Sequence, residues 1–264
     1  MFTGYWLTGS NDLGIEEIRT RVAVKSLKEN DRTKHEDFVR EATVMRALRH
    51  PNIVTMYGVV STSFPMMIVL EFMTNGSLVK YLRHARAENE INPKTDQKLL
   101  IHVTYQIASA CAYIESKNFI HRDIRCANVL VGKSLLHCKL ADFGLARAVQ
   151  NSSFDGLGSY EPIGKVKFPV RWTAPEAAKH KIFTIKSDVW GFGVLLYEVA
   201  KCGEIPYAGM ENREVLEFLE DGKRLDVDDE LSEFPLEYRN VIKACWRHES
   251  LDRPTFESIQ QSLE

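Results

Sequence analysis

The stretch FIHRDIRCANVLV, residues 119–131, decides the fold. It contains the triplet His121-Arg122-Asp123, followed by Asn128 and then by an apolar run that predicts a strand. Alone, an H-R-D triplet is weak, because such triplets arise by chance and usually lie in solvated turns. The asparagine at a fixed offset from the aspartate makes a catalytic loop the better interpretation.

Two further motifs follow in order. D-F-G occupies residues 142–144 in KLADFGLAR, and A-P-E occupies residues 174–176 in WTAPEAA. Upstream, VAVK ends in Lys25, a lysine at the end of a strand of valine and alanine. The order and spacing of these loops resemble those of protein kinases, and coincidence is negligible. The resemblance runs from Gly4 to Glu264.

Within the kinases, the chain resembles cytoplasmic, non-receptor tyrosine kinases of the Src-like type. In HRDIRCAN, Arg125 stands two residues after the aspartate, as in the Src type. Most other tyrosine kinases place this arginine four residues after the aspartate, and serine/threonine kinases usually have lysine at the nearer place. KFPVRWTAPEA (167–177) and FTIKSDVWGFGVLLYEV (183–199) are also similar. The resemblance implies tyrosine-containing protein or peptide substrates.

The implied fold is α+β and bilobal, with one kinase domain over residues 1–264. A small antiparallel β-sheet lobe with one helix would span residues 1–73, and a larger, mostly helical lobe residues 74–264. RVAVKSL and MMIVLEFM predict strands, and residues 34–48 predict the helix. Its apolar stripe contains Glu41, which is either a tolerated edge residue or half of a buried ion pair with Lys25.

The resemblance implies a role for each motif residue. Lys25 would contact the α and β phosphates of ATP while Glu41 holds its ammonium group. Asn128 and Asp142 would bind Mg²⁺ or Mn²⁺, since both are oxygen donors. Asp123 would accept the proton of a substrate hydroxyl. Singly, each residue is as well explained by a salt bridge, a turn or a helix cap; their joint occurrence favours catalysis.

Further residues are assigned by the same resemblance. Arg125 would assist catalysis, and the nucleotide pocket would contain Ala23, Leu70, Glu71 and Met73. Src-type kinases usually carry threonine where this chain has Leu70, which should narrow the back of the adenine pocket.

The segment between D-F-G and A-P-E contains a candidate regulatory site. Tyr160 stands twelve residues before Trp172, as the activating tyrosine of the Src type does. Its phosphate would pair with Arg122 and Arg147; the alternative is a solvated tyrosine in a Gly/Ser-rich loop. Three supporting roles are also implied: Asp188 bracing the catalytic loop, Glu176 pairing with Arg253, and Pro169 and Trp172 forming a shelf for the peptide.

The start of the chain departs from the family pattern. FTGYW (2–6) resembles the end of the second kinase strand, so we expect an N-terminally truncated catalytic domain without the first strand and glycine-rich loop. Gly4, Gly9 and Gly14 do not have the G-x-G-x-x-G spacing. Nucleotide affinity and turnover should therefore be low. A non-catalytic kinase-like binding module is the alternative; a serine/threonine kinase is disfavoured by Arg125 and FPVRW.

Composition sets broad limits. The chain has 264 residues, a formal net charge of −2 and five cysteines without C-x-x-C spacing. Nothing in the charge pattern favours nucleic acid, and neither a disulfide framework nor a zinc site is indicated. No apolar run approaches the length of a membrane span. We expect a cytoplasmic protein, monomeric, with no nucleic-acid partner and no membrane segment in this chain.

Overall fold

The structure is a computed structural model, and it describes residues 1–8, 18–27, 32–149, 158–161 and 168–264. Gly9, Gly14 and most of NSSFDGLGS (151–159) therefore lie outside the described residues. The prediction of an α+β, bilobal kinase fold is confirmed, whereas the division at residues 73 and 74 stays a prediction.

An antiparallel sheet forms the N-terminal part of the described chain. Five of the six residues of its strand Met66–Glu71 are methionine, isoleucine, valine or leucine, which fits an inner strand of a sheet packed on a helix. The strand order is β1-β2-β4-β3. The strands are β1 (Phe2–Thr8), β2 (Ile18–Leu27), β3 (Met56–Val60) and β4 (Met66–Glu71).

Helix α1 (Arg32–Ala47) lies against this sheet. The predicted stripe is buried at Phe38, Ala42 and Met45, and Glu41 lies inside it with 4% of its surface exposed. The apolar side chains around Glu41 thus hold the helix with its carboxylate turned inward.

The rest of the chain is mostly helical. An Asn-Gly turn with Gly76 at φ +67° leads into the first of these helices. The helices are α2 (Leu78–Ala87), α3 (Gln97–Ser116), α4 (Pro175–His180), α5 (Ile185–Ala200), α6 (Asn212–Glu220), α7 (Val227–Glu230), α8 (Leu236–Cys245) and α9 (Phe256–Ser262).

Short pairs of strands between α3 and α5 flank the loops that contain the H-R-D and D-F-G motifs. They are β5 (Phe119–Ile120) with β8 (Arg147–Ala148), β6 (Val129–Val131) with β7 (Cys138–Leu140), and β9 (Ser159–Tyr160) with β10 (Phe183–Thr184). The H-R-D segment lies between β5 and β6, and D-F-G follows β7. Both motifs are consequently loops between short, paired strands.

Helix α5 is the centre of this part of the molecule. A capping box between Thr184 and Ser187 fixes its start, and nearly all its side chains are buried. It packs closely on α8: a Cβ atom added to Gly193 would lie 2.7 Å from the Cβ of Cys245. Within the described ranges, none of the helices combines the length and apolar character needed to cross a bilayer.

Candidate active site

A partly buried ion pair joins the sheet to α1. The Nζ atom of Lys25, on β2, donates to Oε1 and Oε2 of Glu41 at 2.7 and 2.6 Å. Burial raises the pKa of Glu41, and the neighbouring ammonium opposes that rise. The lysine is thereby held with about a third of its side chain exposed, while the carboxylate stays in the interior.

Asp142 lies beside the same ammonium. Its Oδ1 atom is 3.7 Å from Nζ of Lys25, and its side chain is 53% exposed. The residue has a left-handed backbone conformation (φ +61°), and the next residue, Phe143, is fully buried against the ring of His121 at 4.9 Å. The buried ring anchors the loop, and the aspartate remains free to face a ligand.

Asp123 is held by two neighbours on the catalytic loop. Nδ2 of Asn128 donates to its Oδ2 at 2.6 Å and to its backbone oxygen at 2.9 Å. The Nε atom of Arg125 lies 2.8 Å from Oδ1 without the alignment of a hydrogen bond, while Nη2 donates to Oδ2 at 3.3 Å. With Nδ2 used as a donor, Asn128 keeps its amide oxygen available as a ligand.

Backbone hydrogen bonds join the two loops. The amide of Ala141, next to Asp142, donates to the backbone oxygen of Asn128 at 2.8 Å, and the Nε2 atom of His121 lies 3.2 Å from the oxygen of Ala141. The structure therefore brings Lys25, Glu41 and Asp142 into one contact network. A second network contains Asp123, Asn128 and Arg125, and the backbone hydrogen bond between Ala141 and Asn128 joins the two.

Asp188, on α5, binds the backbone of the catalytic loop. Its carboxylate accepts from the backbone amides of His121 at 2.6 Å and Arg122 at 2.8 Å. Arg122 has φ +66°, a strained backbone conformation for a residue other than glycine. The two hydrogen bonds to Asp188 help to stabilise this conformation. Burial raises the pKa of Asp188 to about 7, although both hydrogen bonds act in the opposite direction.

The predicted nucleotide-pocket residues lie at the end of the sheet. Ala23 on β2 is opposite Leu70 on β4, and Leu70 and Met73 are buried. The side chain of Glu71 has other partners: it accepts from Nζ of Lys139 at 2.7 Å and from the amide of Thr55 at 3.1 Å. Burial alone would raise the pKa of Glu71, but these hydrogen bonds lower it. Both hydrogen bonds are accepted by Oε2, so this oxygen of Glu71 is engaged within the protein.

A family model described as protein tyrosine and serine/threonine kinase matches residues 2–263. The chain belongs to this kinase family. It is 43% identical over 251 residues to the tyrosine-protein kinase SRK3 of Spongilla lacustris, an alignment that covers 95% of the chain and 70% of the relative. The prediction of a protein kinase is confirmed.

Tyr160 of this kinase lies between two arginines. Its ring centre is 4.5 Å from the guanidinium carbon of Arg122 and 5.5 Å from that of Arg147. In addition, Nε of Arg122 donates to the oxygen of Leu145 at 2.6 Å. Burial, together with the charge of Arg147, lowers the pKa of Arg122 to about 10. The predicted regulatory residues are thus in contact, and their role stays a prediction.

One further pair occurs as the resemblance implied. Arg253, buried completely, donates to both carboxylate oxygens of Glu176 at 2.6 and 2.9 Å. The bond ties the A-P-E motif to the segment before α9, and the pairing is confirmed.

Sequence reasoning missed Glu198, near the end of α5. Its Oε2 atom accepts from the backbone amide of Cys126 at 2.9 Å and from Nε1 of Trp172 at 2.8 Å. Burial raises its pKa to about 7. The residue therefore links the catalytic loop to the predicted peptide shelf. A signal was present, since a glutamate stands in a helix that is otherwise apolar nearly all round, and buried carboxylates require partners.

Proposed function

We propose that the chain transfers the γ-phosphate of ATP to tyrosine hydroxyl groups of protein or peptide substrates, with Lys25, Glu41, Asp123, Asn128 and Asp142 as the residues that do so. The observation that carries this proposal is the position of one ammonium between two carboxylates. Nζ of Lys25 is 2.6 Å from Glu41 and 3.7 Å from Asp142, so it is held at the point where charged phosphate oxygens would need a cation.

The family's general use of ATP and a divalent metal fits these residues. Asp142 offers a half-exposed carboxylate, and Asn128 offers an amide oxygen. Across the described ranges, no three His, Cys, Asp or Glu side chains cluster as a metal site. Two protein oxygens suit Mg²⁺ or Mn²⁺, because such ions take their other ligands from water and substrate phosphates. When bound, the ion would neutralise phosphate charge.

We infer that Asp123 orients the accepting hydroxyl. Asn128 and Arg125 contact the carboxylate of Asp123. These contacts would fix the carboxylate in one rotamer while a substrate is bound. It would accept a hydrogen bond from the tyrosine hydroxyl and then its proton, as the bond to phosphorus forms. Arg125 also lies over the ring of Trp172, with 5.4 Å between guanidinium carbon and ring centre, which connects the shelf to this carboxylate.

The relative from Spongilla lacustris, a tyrosine-protein kinase, supports tyrosine as the acceptor. Membership of the family and 43% identity to a tyrosine-protein kinase confirm the prediction of a protein tyrosine kinase. Arg125 and the FPVRW segment carried that prediction. We further infer that Tyr160 is the regulatory phosphorylation site, supported by its contacts with Arg122 and Arg147.

A cytoplasmic location and a monomeric state are further proposals. All five cysteines, which lie in the described ranges, are free and buried. Free thiols of this kind suit a reducing compartment.

Transfer of radiolabel from ATP to a Glu-Tyr copolymer and to a serine peptide tests the function. We expect label on the tyrosine polymer alone, a loss of about a hundredfold or more in Asp123→Asn and Asp142→Asn, and no change in the exposed control Asp221→Asn. Label on serine would overturn the acceptor assignment. A folded protein that transfers no label would favour the non-catalytic binding module.

A further inference from the structure

Arg171, inside the predicted peptide shelf, is bonded to a turn from another part of the chain. It directly precedes Trp172, and its guanidinium group donates to three backbone oxygens in the segment between α5 and α6. Nη1 donates to the oxygens of Pro206 at 2.7 Å and Tyr207 at 2.6 Å, and Nη2 donates to the oxygen of Met210. One side chain therefore holds three carbonyl groups of a single turn, residues 206–210.

This 206–210 turn has little to stabilise it by itself. Tyr207 has φ +54° and Gly209 has φ +83°, so one of its residues other than glycine is in a strained conformation. The amide of Met210 donates to the oxygen of Tyr207 at 3.2 Å, at the long end of the usual range. The fork of the arginine, with its several fixed donors, suits the task of holding such a turn.

The shelf is also connected to the proposed catalytic aspartate. The ring centre of Trp172 lies 5.4 Å from the guanidinium carbon of Arg125, and Nε of Arg125 lies 2.8 Å from Oδ1 of Asp123. The shelf thus has contact with Asp123 through Trp172 and with the 206–210 turn through the neighbouring Arg171. A peptide that crosses the shelf from the catalytic aspartate would meet this turn.

We propose that Arg171 is a positioning residue for peptide substrates, which holds the 206–210 turn beside the shelf so that the turn contacts peptide residues several places from the acceptor tyrosine. The proposal rests on the proposed function, because it requires a peptide whose tyrosine lies at Asp123. Arg171 acts through the turn, since both of its terminal nitrogen atoms are bonded to carbonyl oxygens.

The exposed surface of the turn indicates what it would bind. Ile205, directly before the turn, is 48% exposed, and Ala208 and Gly209 are exposed as well. None of these residues has a charge, which suits uncharged residues of a peptide. An extended peptide advances about 3.3–3.6 Å per residue, so four residues reach about 14 Å from the tyrosine. Contacts so far from the reacting atoms affect substrate binding, and their loss should raise KM while kcat stays unchanged.

The test compares two peptides with blocked ends and the same centre. One is the tripeptide Glu-Tyr-Glu, and the other is the nonapeptide Ala-Ala-Ala-Glu-Tyr-Glu-Ala-Ala-Ala. In Arg171→Gln we expect KM for the nonapeptide to rise about fivefold, whereas its kcat and the kcat/KM for the tripeptide stay within about twofold of wild type. Arg239→Gln, on α8, removes a guanidinium that also donates to a backbone oxygen, that of Phe234 at 3.2 Å, and should match wild type.

A second variant reaches the turn without changing the shelf. A Cβ atom added to Gly209 would meet no atom within 4 Å, so Gly209→Ala acts through its φ of +83° alone. We expect it to raise KM for the nonapeptide about threefold and to leave the tripeptide unaffected. Gly222→Ala is the matched control at the end of α6, because Gly222 has φ +78° and equally open surroundings. It should match wild type.

An unchanged KM for the nonapeptide in folded Arg171→Gln would overturn the proposal, as would an equal loss with both peptides, which is the sign of a purely structural role. If circular dichroism shows that Arg171→Gln does not fold, the two glycine variants decide, and equal KM values for them overturn the proposal.

Fluorescence anisotropy with a labelled nonapeptide that has phenylalanine in place of tyrosine measures binding without phosphate transfer. Its Kd should rise about fivefold in Arg171→Gln. Absence of transfer by wild type together with this rise would contradict the proposed function alone, whereas an unchanged Kd would contradict the role of Arg171.

Discussion

Replacement of Asp188 by asparagine isolates the contribution of one buried carboxylate to the catalytic loop. Asp188 accepts two backbone amides, those of His121 and Arg122. Asparagine has one acceptor oxygen, and its NH₂ group would meet the second amide donor to donor. Leaving that buried donor unsatisfied costs about 1–3 kcal/mol at every pH.

The ionisation of Asp188 makes part of the free energy of unfolding depend on pH. Burial raises its pKa from 3.8 to about 7, so the folded protein holds a proton that the unfolded chain releases. The contribution to stability is full below the unfolded pKa and is lost as the pH rises through the folded pKa. In total this amounts to ~4 kcal/mol, of which about 2 kcal/mol falls between roughly pH 5.5 and pH 7.

The assay is urea unfolding of wild type and Asp188→Asn at several pH values, with Asp221→Asn as an exposed control. We expect the free energy of unfolding of wild type to exceed that of Asp188→Asn at acid pH, and the difference to shrink by about 2 kcal/mol toward neutrality. Glu198, which titrates in the same range, is present in both proteins and cancels. A difference that stays constant, or grows with pH, would refute the reasoning, because Asp188 would then be ionised throughout.

Three further changes have defined outcomes. Glu41→Gln removes the charge that fixes the β2 lysine, so kcat/KM for the Glu-Tyr copolymer should fall by about tenfold or more while circular dichroism shows an intact fold. Gly193→Ala places a Cβ atom 2.7 Å from Cys245, and overpacking should lower the unfolding free energy by about 1–3 kcal/mol, measured in urea; an unchanged midpoint would show that α5 and α8 can separate. Glu176→Gln leaves the buried Arg253 without its charged partner, and we expect a loss of about 3–5 kcal/mol by the same measurement, whereas a loss below about 1 kcal/mol would mean that the pair contributes little.

Motif order made much of the site predictable. Lys25 and Glu41 could be paired in advance because a lysine in an apolar strand and a glutamate in an apolar helical stripe each require a partner. The contact between Asp123 and Asn128 could be expected from their fixed spacing, and their proposed roles rest on it. Periodicity predicted the helix of residues 34–48 close to its observed bounds, Arg32–Ala47, since the apolar positions recur at helical spacing.

Contacts between distant segments that belong to no motif were not predictable in this way. Asp37 and Arg147 are far apart in the chain, and only the placement of α1 beside β8 brings them within 3.5 Å. Nothing in the sequence indicated that the carboxylate of Glu71 accepts a hydrogen bond from Lys139, and the predicted contact of Glu71 with a nucleotide stays a prediction. A local pattern fixes the face on which a side chain lies, whereas its partner depends on the tertiary packing.

The catalytic loop is attached to α5 at two points, Asp188 and Glu198, ten positions apart on one helix. At the rise of an α-helix they are separated by about 15 Å, and a single inserted residue between them would rotate one carboxylate by about 100° relative to the other. The number of helix residues between these carboxylates therefore sets the distance between the two attachment points of the catalytic loop. Exchange of this loop with that of another kinase should succeed only where the same number of helix residues separates the two carboxylates.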